Sequence, residues 1–261
     1  MFPLRDDNPT IHTSFATFTI IALNIVAWVF LQGLGAPGPL AQSICEFGLI
    51  PGELLGRLAA QTLIPLGPGM YCQTSADPNW LTPVTSMFMH GGWLHLILNM
   101  WFLYIFGDNV EDAMGIPRFV VFYLLCGLGA VAAQMLSDPA SAIPMVGASG
   151  AIGGVMGGYA LLFPRAPVHM LVFLGFFFFR IVVPAYFMLG YWFLLQLISA
   201  LPTIGNTAGG VAFWAHVGGF ATGLLLVRIF CKTGRLDVCR ARRGQALGRG
   251  PVRVRLRTHV D

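Results

Sequence analysis

The chain has 261 residues, 56% hydrophobic and 10% charged, with a mean hydropathy of +0.72. A soluble domain carries about 25% charged residues, so this composition excludes most of them, and disorder with them. Only 5 Cys are present, which excludes a disulfide scaffold and leaves a membrane protein of several spans. The net charge of +4 divides unevenly. From Arg228 onward there are 10 Lys+Arg against 2 Asp+Glu, a balance of +8; the residues before it hold 5 against 9, a balance of −4. The basic charge is therefore a tail after the last apolar run. It reads as an anchor facing lipid headgroups, with no nucleic-acid partner.

A helix needs about 20 apolar residues to cross the hydrocarbon. Residues 8–45 hold no Asp, Glu, Lys or Arg, and Phe15–Leu34 within them makes a first span. The Gly-Pro punctuation of 35–39 ends it. The loop over 35–80 is long, and its stretches Leu54–Leu58 and Leu63–Leu66 suit short amphipathic helices lying on the membrane. It contains Cys45 and Cys72. A disulfide between them and two free thiols are both open readings. A second span covers about His90–Phe106, a third Phe119–Leu136, and a fourth runs from Gly147 to Phe163, stopping before Pro164. Val168–Phe179 is a very apolar stretch of 12 residues between Arg165 and Arg180, too few to cross. It reads as a membrane-dipping or interfacial segment, with a seventh span as the alternative. The charge-free run 181–227 is broken at 202–210 into a fifth span, Pro184–Leu201, and a sixth, Val211–Phe230.

The expected class is thus an all-α membrane protein, a six-helix transmembrane bundle with a long outer loop between spans one and two. Residues 1–13 form the N-terminus, 14–231 the six-span domain and 232–261 the basic tail. Six spans put both termini on one side. Arg5, Arg118, Arg165, Arg180 and the tail would share that side, and Arg57 alone would face the other. The positive-inside rule makes that side the cytoplasm. The first span lacks the flanks of a signal or transit peptide and is expected to stay in the mature protein.

Polar side chains inside a bilayer are costly and mark cavities or partners. Span two carries His90, His95 and Asn99, the last two four apart on one helix face. Span four opens with Gly147-Ala148-Ser149-Gly150, and span six carries Ala215-His216-Val217-Gly218-Gly219. Gly150, Gly154 and Gly158 repeat every four residues, as do Ala215, Gly219 and Gly223. Such small-residue seams let helices approach closely in lipid. If the two seams meet, Ser149 and His216 meet at one depth. A Ser–His pair in contact activates the hydroxyl for acyl transfer. No carboxylate is at hand to orient the imidazole, so the arrangement is a dyad rather than a triad. His95, Asn99 and the backbone N–H at Ser149 are donors suited to an oxyanion.

Each of these features has a plainer reading. Ser149 can bond its own helix carbonyl, His216 can make a packing hydrogen bond, and glycine seams serve packing in many membrane proteins. His90 and His95 are five apart, a poor helical spacing for two ligands of one ion. No metal or cofactor is expected.

Three blocks in order, His90-Gly-Gly-Trp-Leu-His95-Leu-Ile-Leu-Asn99, Gly147-Ala148-Ser149-Gly150 and Ala215-His216-Val217-Gly218-Gly219 with Gly223, resemble the rhomboid family of intramembrane serine proteases. The resemblance covers roughly 14–231. The Gly pattern of span four and Phe163-Pro164-Arg165-Ala166 resemble bacterial members. It implies Ser149 as nucleophile and His216 as general base. It implies His95, Asn99 and the backbone around Ala148 and Ser149 as the oxyanion site. His90 would support the outer end of span two. Glu111 would tie span two to its neighbours, with Arg118 as a partner, and Gly219 and Gly223 would pack span six. The substrates implied are single-pass transmembrane proteins in the bilayer, entering between spans two and five near Trp192 and Phe193, and the location implied is a bacterial inner membrane. Two positions depart from the family pattern. Leu81 follows Trp80 where an Arg is common. Gly153 stands where an aromatic side chain usually stacks on the histidine, so either another side chain holds His216 or it is held less firmly. The rival classes are an inactive rhomboid-like client-binding protein, which would normally lack Ser or His, and a small transporter, which would show a repeat.

Overall fold

The computed structural model describes residues 2–67, 69–175, 177–204 and 211–231. The basic tail 232–261 lies outside them, as does 205–210 of the break between the last two apolar runs.

Each of the six apolar runs folds as a helix, since a backbone in an apolar setting must satisfy its own N–H and C=O groups. Strand β1 (Phe2–Asp6) precedes α1 (Phe15–Phe30). The long loop holds α2 (Pro37–Phe47), α3 (Pro51–Leu54), β2 (Leu63–Gly67), β3 (Met70–Gln73) and α4 (Thr82–Thr85). Then come α5 (Trp93–Met114), α6 (Ile116–Ser137), α7 (Ser149–Leu162), β4 (Pro167–Leu174), β5 (Phe177–Pro184), α8 (Ala185–Ala200) and α9 (Phe213–Phe230). Helices α6 and α9, and α8 continued to Thr203, are long and apolar enough to cross a membrane. Helices α1 and α7 are apolar but shorter. Helix α5 has the length, with Asp108, Glu111 and Asp112 near its end.

The expectation of an all-α fold is corrected in two places. Val168–Phe179 is no helix. Strands β4 and β5 pair as an antiparallel hairpin, with Pro167 opposite Pro184 and Leu174 opposite Phe177. Strand β1 adds to the other edge of β4, giving the order β1-β4-β5. The segment is rich in β-branched and aromatic residues, which suit a pleated surface, and Gly175 takes φ +61° at the turn. Phe177, Phe178 and Phe179 are exposed, an apolar edge that suits lipid; Phe176 lies outside the described residues. In the outer loop, Leu63–Leu66 lies in β2 of a second hairpin rather than in an amphipathic helix. There Cys45 of α2 and Cys72 of β3 form a disulfide, with Cα atoms 5.3 Å apart.

Helix α7 is the centre of the bundle. Nearly all of it is buried, and its Val155, Met156 and Tyr159 meet Phe106, Phe119 and Phe122 in one core. At the end of the bundle away from Ser149, carboxylates gather the chain. Glu111 accepts hydrogen bonds from the Ala16 N–H at 2.9 Å, the Thr17 N–H at 2.7 Å and the Thr17 hydroxyl at 2.8 Å. It so supplies acceptors to the first turn of α1, where helix N–H groups lack them. Asp112 accepts from the Ile11 N–H at 2.6 Å and the His12 N–H at 3.2 Å. Glu111 therefore ties α5 to α1 and not to Arg118, whose guanidinium donates to the Phe230 carbonyl at 3.4 Å. The Tyr159 hydroxyl bonds to Asp6, and Trp101 Nε1 donates to the Pro3 carbonyl at 2.8 Å. The β1 segment is thereby held onto the bundle. Replacing Glu111→Ala leaves three donors without their acceptor, each costing about 1–3 kcal/mol when buried. A lower thermal unfolding midpoint in detergent is expected, and an unchanged midpoint would show the anchor to be dispensable.

Candidate active site

Gly147 adopts φ +126° and turns the chain into α7. A Cβ there would lie 2.7 Å from the His95 ring, so only glycine lets that imidazole come so close. Ala148 caps the helix and Ser149 is its first residue. The backbone N–H groups of this first turn have no acceptor within the helix and carry the positive end of its dipole.

Helix α9 crosses α7 with backbone against backbone. A Cβ on Gly219 would collide with the Gly150 carbonyl, and one on Gly223 with the Gly154 carbonyl. The two seams therefore do meet. They bring His216 Nε2 to 2.8 Å from Ser149 Oγ, although the two residues are 67 positions apart.

Three side chains hold the imidazole. The Trp192 ring lies 5.8 Å from it, tilted by 37°, and Phe213 approaches edge-on at 6.4 Å. On the far side, His216 Nδ1 is 2.8 Å from Gln196 Oε1. A side chain at position 153 would have had little room. A Cβ there would stand 3.1 Å from the His216 carbonyl and 3.7 Å from Trp192. The aromatic ring beside the imidazole here is Trp192, which comes from α8. Sequence reasoning placed Trp192 only at an entry path and passed over Gln196. The available signal was their spacing: four apart, they share a face of α8, and Gln196 is a polar side chain in a charge-free run.

His95 and Asn99 line the same cavity of about 950 Å³ as Ser149, His216 and Trp192. His95 Nδ1 accepts from the Gly91 N–H at 3.3 Å. Asn99 Nδ2 donates to the His95 carbonyl at 2.8 Å, which leaves its second amide hydrogen for another acceptor. His90 is fully buried, its ring 5.1 Å from that of His95. Its backbone is clamped on both sides by Gln32: the His90 N–H donates to Oε1 at 2.8 Å, and Nε2 donates to the His90 carbonyl at 2.7 Å. Gln32 was also missed from sequence. Trp80 and Leu81, the departing pair, are both largely exposed.

Residues 77–233 match the family pattern described as Rhomboid domain. The chain belongs to the rhomboid family. It is an integral membrane protein of that fold. Rhomboid protease GluP of Bacillus subtilis is 33% identical over 202 residues, 77% of this chain and 34% of that protein. Rhomboid protein 1, mitochondrial, of Saccharomyces cerevisiae is 30% identical over 177 residues, 64% of this chain and 46% of the relative. Rhomboid-like protein 11, chloroplastic, of Arabidopsis thaliana is 44% identical over 78 residues, 30% of this chain and 28% of the relative. The chain spans less than half the length of each of these relatives. Their names point to bacterial, mitochondrial and chloroplast settings alike.

The seam sets the Ser149–His216 distance, so a side chain within it must push α7 and α9 apart. Gly219→Val is expected to destabilise the protein by at least about 1–3 kcal/mol, the usual cost of overpacking. Thermal unfolding in detergent reads this directly, and a wild-type midpoint would contradict the contact.

Proposed function

We propose that this rhomboid is an intramembrane serine endopeptidase that cleaves single-pass transmembrane proteins through a Ser149–His216 dyad. The observation that carries the reading is the 2.8 Å contact between Ser149 Oγ and His216 Nε2 inside a cavity shared with His95 and Asn99. Helices α1, α5, α6, α7, α8 and α9 are the six spans in this reading. The placement of Arg5, Arg118, Arg165 and Arg180 favours both termini in the cytoplasm of a bacterial inner membrane. A disulfide in the outer loop is consistent with that loop facing an oxidising compartment.

A substrate helix enters sideways between α5 and α8 and unwinds locally, because an intact helix keeps its carbonyls hydrogen-bonded. His216 Nε2 takes the Ser149 proton as Oγ attacks the scissile carbonyl carbon. The oxygen gains negative charge against donors from His95, the free Asn99 amide hydrogen and the backbone N–H of Ser149 at the positive end of α7. Donors fixed in advance lower the barrier because they need not reorganise; one such donor is worth about 10²–10³ in rate. His216 then protonates the leaving amine, and water hydrolyses the acyl-enzyme by the same route in reverse. His90, Glu111, Gly219 and Gly223 support this geometry without touching substrate.

The rival reading, a client-binding relative without activity, is disfavoured by a serine and a histidine already in contact. Ser149→Ala is expected to abolish cleavage of a single-span reporter substrate and labelling by a fluorophosphonate, with expression intact. Undiminished cleavage would sink the assignment. Reporter fusions after residue 231 test the orientation: a phosphatase that needs export should stay inactive there, while a cytoplasmic fluorescent reporter should be bright.

A further inference from the structure

The dyad has a third partner. The Gln196 Oε1 that faces His216 Nδ1 at 2.8 Å is a carbonyl oxygen, which can only accept a hydrogen bond. With the amide in this orientation, the proton in that contact sits on Nδ1. A neutral imidazole carries one N–H, so Nε2 is left with a lone pair directed at Ser149 Oγ, 2.8 Å away. This is the tautomer a general base needs. The opposite one would present an N–H to the serine and could not take its proton. In Ser-His-Asp sites a carboxylate imposes this choice, and changing it to an amide that selects the wrong tautomer costs about 10⁴ in rate. Here a neutral amide with its oxygen toward the ring does the same without placing a carboxylate in an apolar bundle, where an ion is costly.

We propose that Gln196 is a positioning residue that holds His216 in the Nδ1-protonated tautomer and aims Nε2 at Ser149. The inference rests on the dyad reading above. Trp192, one turn earlier on the same face of α8, fixes the ring plane while Gln196 fixes its rotation and proton. Both come from α8, whereas Ser149 and His216 come from α7 and α9. The site is thus completed by a third helix, one in which only Ala185, Met188, Leu189 and Ala200 are buried.

The test compares Gln196→Met, which keeps the volume and removes the acceptor, with Gln196→Glu, which keeps an oxygen there. Two reactions are followed: cleavage of a transmembrane reporter and the labelling rate of Ser149 by a small fluorophosphonate. Gln196→Met is expected to lower kcat and the labelling rate at least about tenfold, a part of the roughly 10²–10⁴ that general acid–base catalysis contributes, with KM little changed. Gln196→Glu is expected to restore labelling to within about threefold of the parent. A residue serving only to shape the entry path would change KM for the helical substrate and leave labelling by the small reagent untouched. Wild-type labelling in Gln196→Met overturns the inference, and so does a Gln196→Glu form that stays as slow as Gln196→Met at a pH where its carboxyl is ionised and only accepts. A measurement on the unmutated protein covers the case in which the variants do not fold. Nitrogen NMR of the histidine rings, with His216 assigned by its loss in His216→Asn, should show protonated Nδ1; protonated Nε2 overturns the proposal. If cleavage persists in Ser149→Ala, the dyad reading falls. If Ser149 is required and Gln196→Met is unimpaired, this inference alone falls.

Discussion

The contact between α7 and α9 fixes the geometry on which the rest of the site depends. Lipid offers helices little hydrophobic reason to associate, so packing must supply it. Here packing is taken to its limit, with the Gly219 and Gly223 backbones against the carbonyls of Gly150 and Gly154. With no side chains between them, the two helices have little room to shift. Ser149 and His216 lie at one end of that seam and inherit its rigidity. The Ser149–His216 geometry is then a by-product of the smallest residues in the bundle rather than of the polar ones.

The carboxylates at the opposite end solve a different problem. The first turn of a helix presents N–H groups that must find acceptors, at a high cost if they are buried without them. Glu111 provides acceptors to Ala16 and Thr17 of α1, and Asp112 does so for Ile11 and His12 just before it. Two adjacent acidic residues on one helix thereby position another helix and the strand segment before it. Charge is scarce in this chain, and these two carboxylates take backbone N–H groups among their partners, with the Thr17 hydroxyl on Glu111 and the His12 imidazole, 2.6 Å away, on Asp112.

What could be read from sequence follows from how rare each signal is in its setting. Ser149, His216, His95 and Asn99 were legible because polar side chains stand out in apolar runs and because glycine periodicity ties two of the runs together. The helices were legible because the charge-free runs have the length and composition of spans. The β1-β4-β5 sheet was not, since Val168–Phe179 is apolar on both faces and offers no period to separate strand from helix. The Cys45–Cys72 bridge was left open because pairing depends on proximity, which spacing does not supply. The partners of Glu111 escaped notice because backbone N–H groups leave no trace in residue identity. Gln196 was passed over because its partner lies on another helix. A lone amide in an apolar run is informative only once it is known what faces it.

Helix α8 is held at its root and along its length. Its root is fixed where β5 ends: the Ala185 N–H donates to the Ala166 carbonyl at 2.9 Å and the Tyr186 N–H to the Pro164 carbonyl at 2.9 Å, beside a three-stranded sheet. Gln196 stands eleven residues out, roughly 16 Å along the helix at 1.5 Å per residue. Along that length Trp192 and Phe193 lie against Phe220 of α9, and Ala200 is buried at the far end. On the proposed reading, the amide is therefore only as firmly placed against His216 as α8 is seated against the helices beside it.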